Sequence, residues 1–189
     1  MRIITGSHRG KKLITLEGEQ VRPTTDRVKE SLFNILQFQL EGRRFLDLFA
    51  GSGQIGLEAL SRGAAQAVFV DASKESIRVV EKNLASTGLG DRAKVVTADF
   101  AAICAPAGTV LTWLFWTRLT APACWSRLCL GSGGYESRRV ILCEHPKEEV
   151  LPETAGGFVR HKSYRYGKIM LTAYRPPEET PGGEGAPGA

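Results

Sequence analysis

The 189-residue sequence predicts an α/β domain: a mainly parallel, doubly wound sheet flanked by helices, with a small N-terminal β/α arm. Three observations carry that expectation. Short apolar runs of strand length alternate with segments of helical period. Each of the first three runs ends at an acid or a glycine turn. The turn after the first run, Gly51-Ser-Gly-Gln-Ile-Gly56, has the spacing G-x-G-x-x-G and lies between a strand and a helix, the context that spacing requires.

Residues 1–20 alternate loosely around Gly6, Gly10 and Gly18 and read as short strands or an extended arm. A helix follows Arg22-Pro-Thr-Thr25. Thr24 or Thr25 caps it, Asp26 suits its first turn, and Val28, Leu32, Ile35 and Leu36 form one apolar face. Phe45–Phe49 is the first strand, Gln54–Arg62 a helix stopped by Gly63, and Ala67–Val70 a second strand ending at Asp71. Ser73 caps a helix with Ile77, Val80 and Leu84 inside and its close near Gly88. Val95-Val96 marks a third strand ending near Asp99. Val140–Cys143 gives a later strand, and Phe158–His161 with Ile169–Tyr174 an antiparallel closing pair. Pro176–Ala189, with four Pro, four Gly and three Glu, lacks the apolar surface to order itself and reads as a disordered tail. The expected divisions are an arm and helix over 1–40, the main domain over 41–175, and the tail over 176–189.

Composition excludes several classes. No run approaches the roughly 18 apolar residues of a spanning helix. Four cysteines without a Cys-x-x-Cys pair, and three histidines, argue against a metal site. The N-terminus lacks the apolar core of a signal peptide, so a cytoplasmic protein with reduced thiols is expected. The net charge of +5 points to a polyanionic partner. One stretch departs from the rest. Phe100–Tyr135 contains no Asp or Glu, although the chain has 20, and it holds all three tryptophans, Trp113, Trp116 and Trp125.

The glycine turn lets backbone approach a ligand at a helix N-terminus. Asp71, at the end of the next strand, is placed to accept hydrogen bonds from ribose hydroxyls, and Asp99, at the end of the third, to meet an adenine amino group. Both a dinucleotide and S-adenosylmethionine offer such a nucleoside. Asp47 separates them. It lies four residues before Gly51 inside the strand that feeds the turn, where a carboxylate favours a cationic sulfonium and amino-acid moiety and repels a pyrophosphate. The other reading of Asp47 is an acid bonded to loop amides.

Asp47-Leu-Phe-Ala-Gly-Ser-Gly53 with Leu57-Glu-Ala-Leu-Ser-Arg-Gly63 resembles the RsmD family of bacterial methyltransferases, which act on the exocyclic N2 of a guanine in 16S ribosomal RNA. Met1-Arg-Ile-Ile-Thr-Gly6, Arg22-Pro-Thr-Thr-Asp-Arg27, Glu30, Leu32-Phe-Asn34, Phe69-Val-Asp71, Glu144-His145 and Tyr166-Gly167 follow in the family's order. The resemblance covers roughly 1–107 and 140–175. It implies a class I, Rossmann-like methyltransferase fold with Asp47, Gly51, Gly53, Asp71 and Asp99 lining an S-adenosylmethionine pocket. It also implies an N-terminal arm and Arg22 facing RNA.

The family carries Asp-Pro-Pro-Tyr at the end of the fourth strand. A guanine N2 amine is a poor nucleophile because its lone pair is delocalised. A carboxylate and a backbone carbonyl accept its hydrogens and aim the lone pair at the methyl group, while the tyrosine stacks on the flipped base. Here Thr117, Arg118, Leu119 and Thr120 stand in that place, so no catalytic residue is intact. The genetic code accounts for this. Read one nucleotide earlier, the codons of Phe115-Trp116-Thr117 must give Leu-Asp, because Trp is always TGG and Thr begins AC. The codons of Arg118, Leu119 and Thr120 then permit Pro-Pro-Tyr, and those upstream permit Phe-Asp-Leu-Val-Phe. Residues from about 108 to a point within 131–139 are therefore expected to be out of frame, with the frame restored at Val140-Ile-Leu-Cys-Glu-His.

Arg160, Lys162, Arg165, Lys168 and Arg175, interleaved with Tyr164, Tyr166 and Tyr174, suit RNA, as do Arg9, Lys11, Lys12 and Arg22 near the N-terminus. The expected partner is 16S rRNA or the assembling small subunit, met by a monomer without metal or membrane. Two competing readings remain. One is a nicotinamide-dependent oxidoreductase on the same glycine turn; the other is an RNA-binding methyltransferase fold that has lost its chemistry.

Overall fold

The structure, a computed structural model, describes residues 1–16, 24–99, 113–118, 140–155 and 157–177. Its elements are α1 (Asp26–Leu36), β1 (Arg44–Leu48), α2 (Gln54–Ser61), β2 (Gln66–Asp71), α3 (Lys74–Thr87), β3 (Ala93–Thr97), β4 (Trp113–Arg118), β5 (Ile141–Pro146), β6 (Thr154–Ala155), β7 (Phe158–Tyr166) and β8 (Ile169–Arg175), with a short 3-10 turn at Gly90–Arg92. Eight strands form one sheet in the order β3-β2-β1-β4-β5-β8-β7-β6. The first five are parallel, and β6, β7 and β8 pair antiparallel at one side. Strand order reverses between β1 and β4, so the ligand-binding crevice of an open α/β sheet falls beyond the C-terminal ends of those two strands.

Local chemistry explains the boundaries. Thr25, not Thr24, caps α1 by accepting from the Val28 amide, and the Ser73 hydroxyl accepts from the Ser76 amide to open α3. Gly88 closes α3 in the left-handed conformation at φ 69°, as a C-terminal glycine does. Period-two alternation divides the parallel strands between two cores. Phe45, Ala67 and Phe69 join one core with the arm residues Ile3 and Leu13 and with helices α1, α2 and α3. Leu46, Leu48, Val68, Val70, Ile141 and Cys143 form the other. Asp47 falls on the helix side. Cys143 is a buried hydrophobe, as expected of a reduced thiol.

Residues 1–13 double back on themselves. Ile3 donates to Lys11, Gly10 to Ile3 and Leu13 to Met1, with Arg2 bridging Lys12. All eight residues of α2 are buried, because the sheet covers one side and this arm another. Residues 100–112 and 119–139, the expected tail beyond 177, and Arg22 lie outside the described residues. Among the described residues, no helix is long and apolar enough to cross a membrane.

Candidate functional site

The turn after β1 is built to a tight specification. Phe49, the first residue past the strand, has φ 64°, the one positive value at a non-glycine among the described residues. A bulky side chain in that region costs of order 1–3 kcal/mol, and such strain gathers at functional sites. The chain then turns back: Ala50 donates to the Val70 carbonyl, and Gly53 donates to Ala50. Gly56 meets a different need. A Cβ there would stand 2.3 Å from Cε1 of Phe69, so only glycine lets α2 settle this close to β2. Gly56→Ala is expected to destabilise the fold by about 1–3 kcal/mol, the usual cost of overpacking a core. Thermal unfolding checks this, and an unchanged Tm contradicts the packing described.

Two of the expected acids hold this turn. Asp71 accepts from the Gly51 amide (2.8 Å) through one carboxylate oxygen and from the Ser73 amide (2.8 Å) through the other, joining the turn to the start of α3. Asp47 is 1% exposed, and its Oδ2 accepts from the Gly56 amide at 2.9 Å. It thus bonds an open amide of the first turn of α2 from beneath the glycine turn. Asp99 is exposed, two residues beyond β3 at the same edge.

Burial, reinforced by the nearby Asp71 charge and opposed by the Gly56 amide, pushes the Asp47 carboxyl up to about 7. An acid raised above its unfolded value stabilises the fold fully below the ordinary carboxylate range, and that contribution is lost as pH rises toward about 7. Asp47→Asn keeps an acceptor for Gly56 and removes the titration. Its Tm relative to wild type is expected to climb between pH 4 and pH 8, and a difference that stays flat with pH contradicts the assignment.

Several polar residues at the site lay beyond the sequence reading. Glu58 on α2 is fully buried. It accepts from the Ile4 amide (2.8 Å), the Thr5 amide (2.9 Å) and Nε of Arg62 (2.9 Å), and it faces Nζ of Lys29 at 3.6 Å. Lys29, also fully buried, donates to the Arg2 carbonyl. Burial lowers its pKa, and Glu58 and Asp26 oppose that shift. Asn83 on α3 is fully buried and bonded to Ile14 and Ser52. The sequence does carry a signal for Glu58: it is the lone acid of an apolar helix, with Arg62 four residues on as its partner. Gln54, the first residue of α2, is 7% exposed, and its Oε1 has no partner among the described residues.

Across the crevice, the register sets Thr117 of β4 between Leu48 of β1 and Cys143 of β5, and Arg118 beside Glu144. Residues 117 and 118 therefore end the strand at the crevice itself. Leu119 and Thr120 lie outside the described residues. Glu144 is 3% exposed and accepts from the Thr24 hydroxyl at 2.9 Å, bringing the start of α1 to this edge. His145 is buried between the Pro146 carbonyl and the Thr172 hydroxyl, both at 2.9 Å. Nδ1 must donate to the carbonyl, so Nε2 accepts, and burial lowers the pKa of this structural histidine.

The basic residues divide between the two ends of the sheet. Arg165 pairs with Met170 and so with the level of His145, and the Lys147 amide donates to the Lys168 carbonyl. Arg165, Lys168 and Lys147 thus gather, exposed, at the crevice edge. Arg160 lies at the level of Tyr174 and Ile141, toward the opposite end, and pairs with Glu153. Lys162 is two residues along the ribbon with its ammonium 5.2 Å from the Tyr164 ring. Arg9 lies in the arm's turn, whose neighbours Ser7 and His8 bond Ser61 at the far end of α2. Lys11 and Lys12 are exposed on the returning half of the arm.

A parallel sheet in this order, with a glycine turn after β1 and acids at the ends of β1 and β2, defines a class I methyltransferase. The family Conserved hypothetical protein 95 matches residues 1–111. Ribosomal RNA small subunit methyltransferase D of Escherichia coli K12 is 44% identical over 178 residues, covering 93% of this chain and 89% of that protein. The solved yhhF chain of Escherichia coli superimposes with a TM-score of 0.76 at 31% identity, covering 93% of this chain and 97% of that one. An RNA methyltransferase of Salinibacter ruber, solved with S-adenosyl-L-homocysteine, shares the fold with a TM-score of 0.60 at 15% identity, over 85% of this chain and 97% of its own. The chain belongs to this family of methyltransferases.

Proposed function

We propose that this chain transfers a methyl group from S-adenosylmethionine to the exocyclic N2 of a guanine in small-subunit rRNA. The observation that carries the reading is the construction of the turn after β1 at the strand-order reversal. Among the described residues, nothing lies closer than 4.0 Å to where a Cβ on Gly51, at φ 55°, would stand, which leaves its backbone room for a ligand. Beside it, the orphaned Oε1 of Gln54 fits a ligand that brings a hydrogen-bond donor, as an α-ammonium does. Asp71 fits ribose hydroxyls, and Asp99 stands beyond it on the adenine side. When bound, S-adenosylmethionine supplies an electrophilic methyl on its sulfonium. The chain's own part is to orient: the turn fixes the ligand, and Asp47 beneath it holds the Gly56 amide at the start of α2.

RNA would approach over the crevice edge. Of the cations expected from sequence, Arg165 is the best placed for this, with Lys168 and Lys147 beside it. Arg9, Lys11, Lys12, Lys162 and Arg160 can serve only an RNA that reaches along the body of the domain. At the chemistry itself, Thr117 offers no carboxylate to accept the amine hydrogens. We read residues from about 108 to within 131–139 as translated out of frame. Support comes from the family match, which ends at residue 111. The main domain then runs over 41–175 with this segment as its one anomaly. The arm over 1–40 shares the same core.

Ligand-dependent thermal shift tests the cofactor. S-adenosylhomocysteine is expected to raise Tm by an amount that grows with its concentration, and NAD to leave it unchanged. The reverse order would favour the oxidoreductase.

A further inference from the structure

Asn83 sits where three segments meet. Its Oδ1 accepts from the Ile14 amide at 2.8 Å, and its Nδ2 donates to the Ile14 carbonyl at 3.0 Å and to the Ser52 carbonyl at 2.9 Å. Ile14 belongs to the basic N-terminal arm and Ser52 to the glycine turn. One fully buried amide therefore completes the arm's backbone pairing, as a neighbouring strand would, and spends its second hydrogen on the turn. Other contacts join the same two parts. The Ser52 hydroxyl lies 3.4 Å from the Met1 sulfur, and Leu16 is the nearest side chain to Gly51. Arm and turn are thus held by one amide whose donors and acceptor are all committed. Loss of either partner leaves a buried polar group unpaired.

We propose that Asn83 is a positioning residue that couples the two, so that a ligand seated in the glycine turn also orders the arm. This rests on the reading of the turn as the S-adenosylmethionine site. The physical basis is reciprocity. If a ordered turn holds Asn83 in place, Asn83 holds Ile14, and an arm ordered by RNA makes the turn easier to fill by the same factor. Arm residues that approach no cofactor then affect its affinity.

Amide hydrogen exchange on the full chain, with S-adenosylhomocysteine as the probe, tests this. In wild type the ligand is expected to slow exchange of the Leu13 and Ile14 amides at least tenfold. In Asn83→Ala that response disappears and the dissociation constant rises about tenfold. In Asn83→Asp the side chain can donate to Ser52 only while protonated, so the arm's response returns as pH falls. A merely structural asparagine would lower Tm in the variants yet leave the ligand's effect on the arm intact, and that result overturns the proposal. So does a wild type that binds the ligand with no change in the arm. A wild type that does not bind it overturns the cofactor reading as well.

Discussion

Translation of the gene one nucleotide earlier, from about residue 108 to the restoring point within 131–139, is expected to raise methyl transfer to small-subunit rRNA by at least about 10²-fold, the scale on which a misplaced reacting group costs an enzyme. The reason lies in where β4 ends. Its last two residues, Thr117 and Arg118, pair with Leu48 of β1 and with Cys143 and Glu144 of β5, on the side of the sheet where the strand order reverses. In the proposed reaction that is the position from which an accepting group would reach a base amine presented to a methyl donor held in the glycine turn. A threonine hydroxyl carries no negative charge to accept an amine hydrogen. In the earlier frame the codon across Trp116 and Thr117 is GAC whatever the third base of threonine, so aspartate at 117 does not depend on codon choice. A chain made in that frame that transfers no faster than the one printed here refutes the explanation.

Glu58→Ala is expected to lower stability by about 3–5 kcal/mol, the range for breaking a buried ion pair by removing one partner. For a domain of this size that amounts to a fall in Tm of about 6–20 °C. Four groups lose their acceptor or counter-charge together: the Ile4 and Thr5 amides, the Arg62 guanidinium and the buried Lys29 ammonium. The double variant Glu58→Leu with Lys29→Met removes both buried charges and is expected to recover part of the loss. A single variant within 1 kcal/mol of wild type, measured by denaturant unfolding, contradicts the arrangement.

The parallel sheet was legible because the strands it uses obey simple rules. β1 and β2 are apolar runs of strand length ending at a glycine turn or an acid, and the G-x-G-x-x-G spacing places the crevice. The caps at Ser73 and Gly88 and the antiparallel pairing of β7 with β8 follow from local chemistry. What was not legible depends on long-range partners. Asn83 reads as an ordinary polar residue of a helix until Ile14, 69 residues earlier, is folded against it. Lys29 falls beside the apolar face of α1, and the half-exposed Asp26 three residues earlier gives no sign that Glu58, 29 residues later, is its buried partner. The basic ribbon misleads for a related reason. Arg160 and Arg165 are five residues apart in one run of cations, but in an extended strand that distance carries them toward opposite ends of the sheet, and Arg160 is taken by Glu153. Asp47 was identified from its position, while its bond to Gly56 follows only from which side of β1 it faces.

The central claim is methyl transfer to a guanine N2 in small-subunit rRNA from a donor held in the turn after β1. It is tested most directly by incubating the frame-restored chain with methyl-labelled S-adenosylmethionine and unmodified small-subunit rRNA, then digesting the RNA to nucleosides. The predicted result is label in N2-methylguanosine alone, abolished by substitution of aspartate 117 in that chain. Label in any other nucleoside, or none at all, would contradict it.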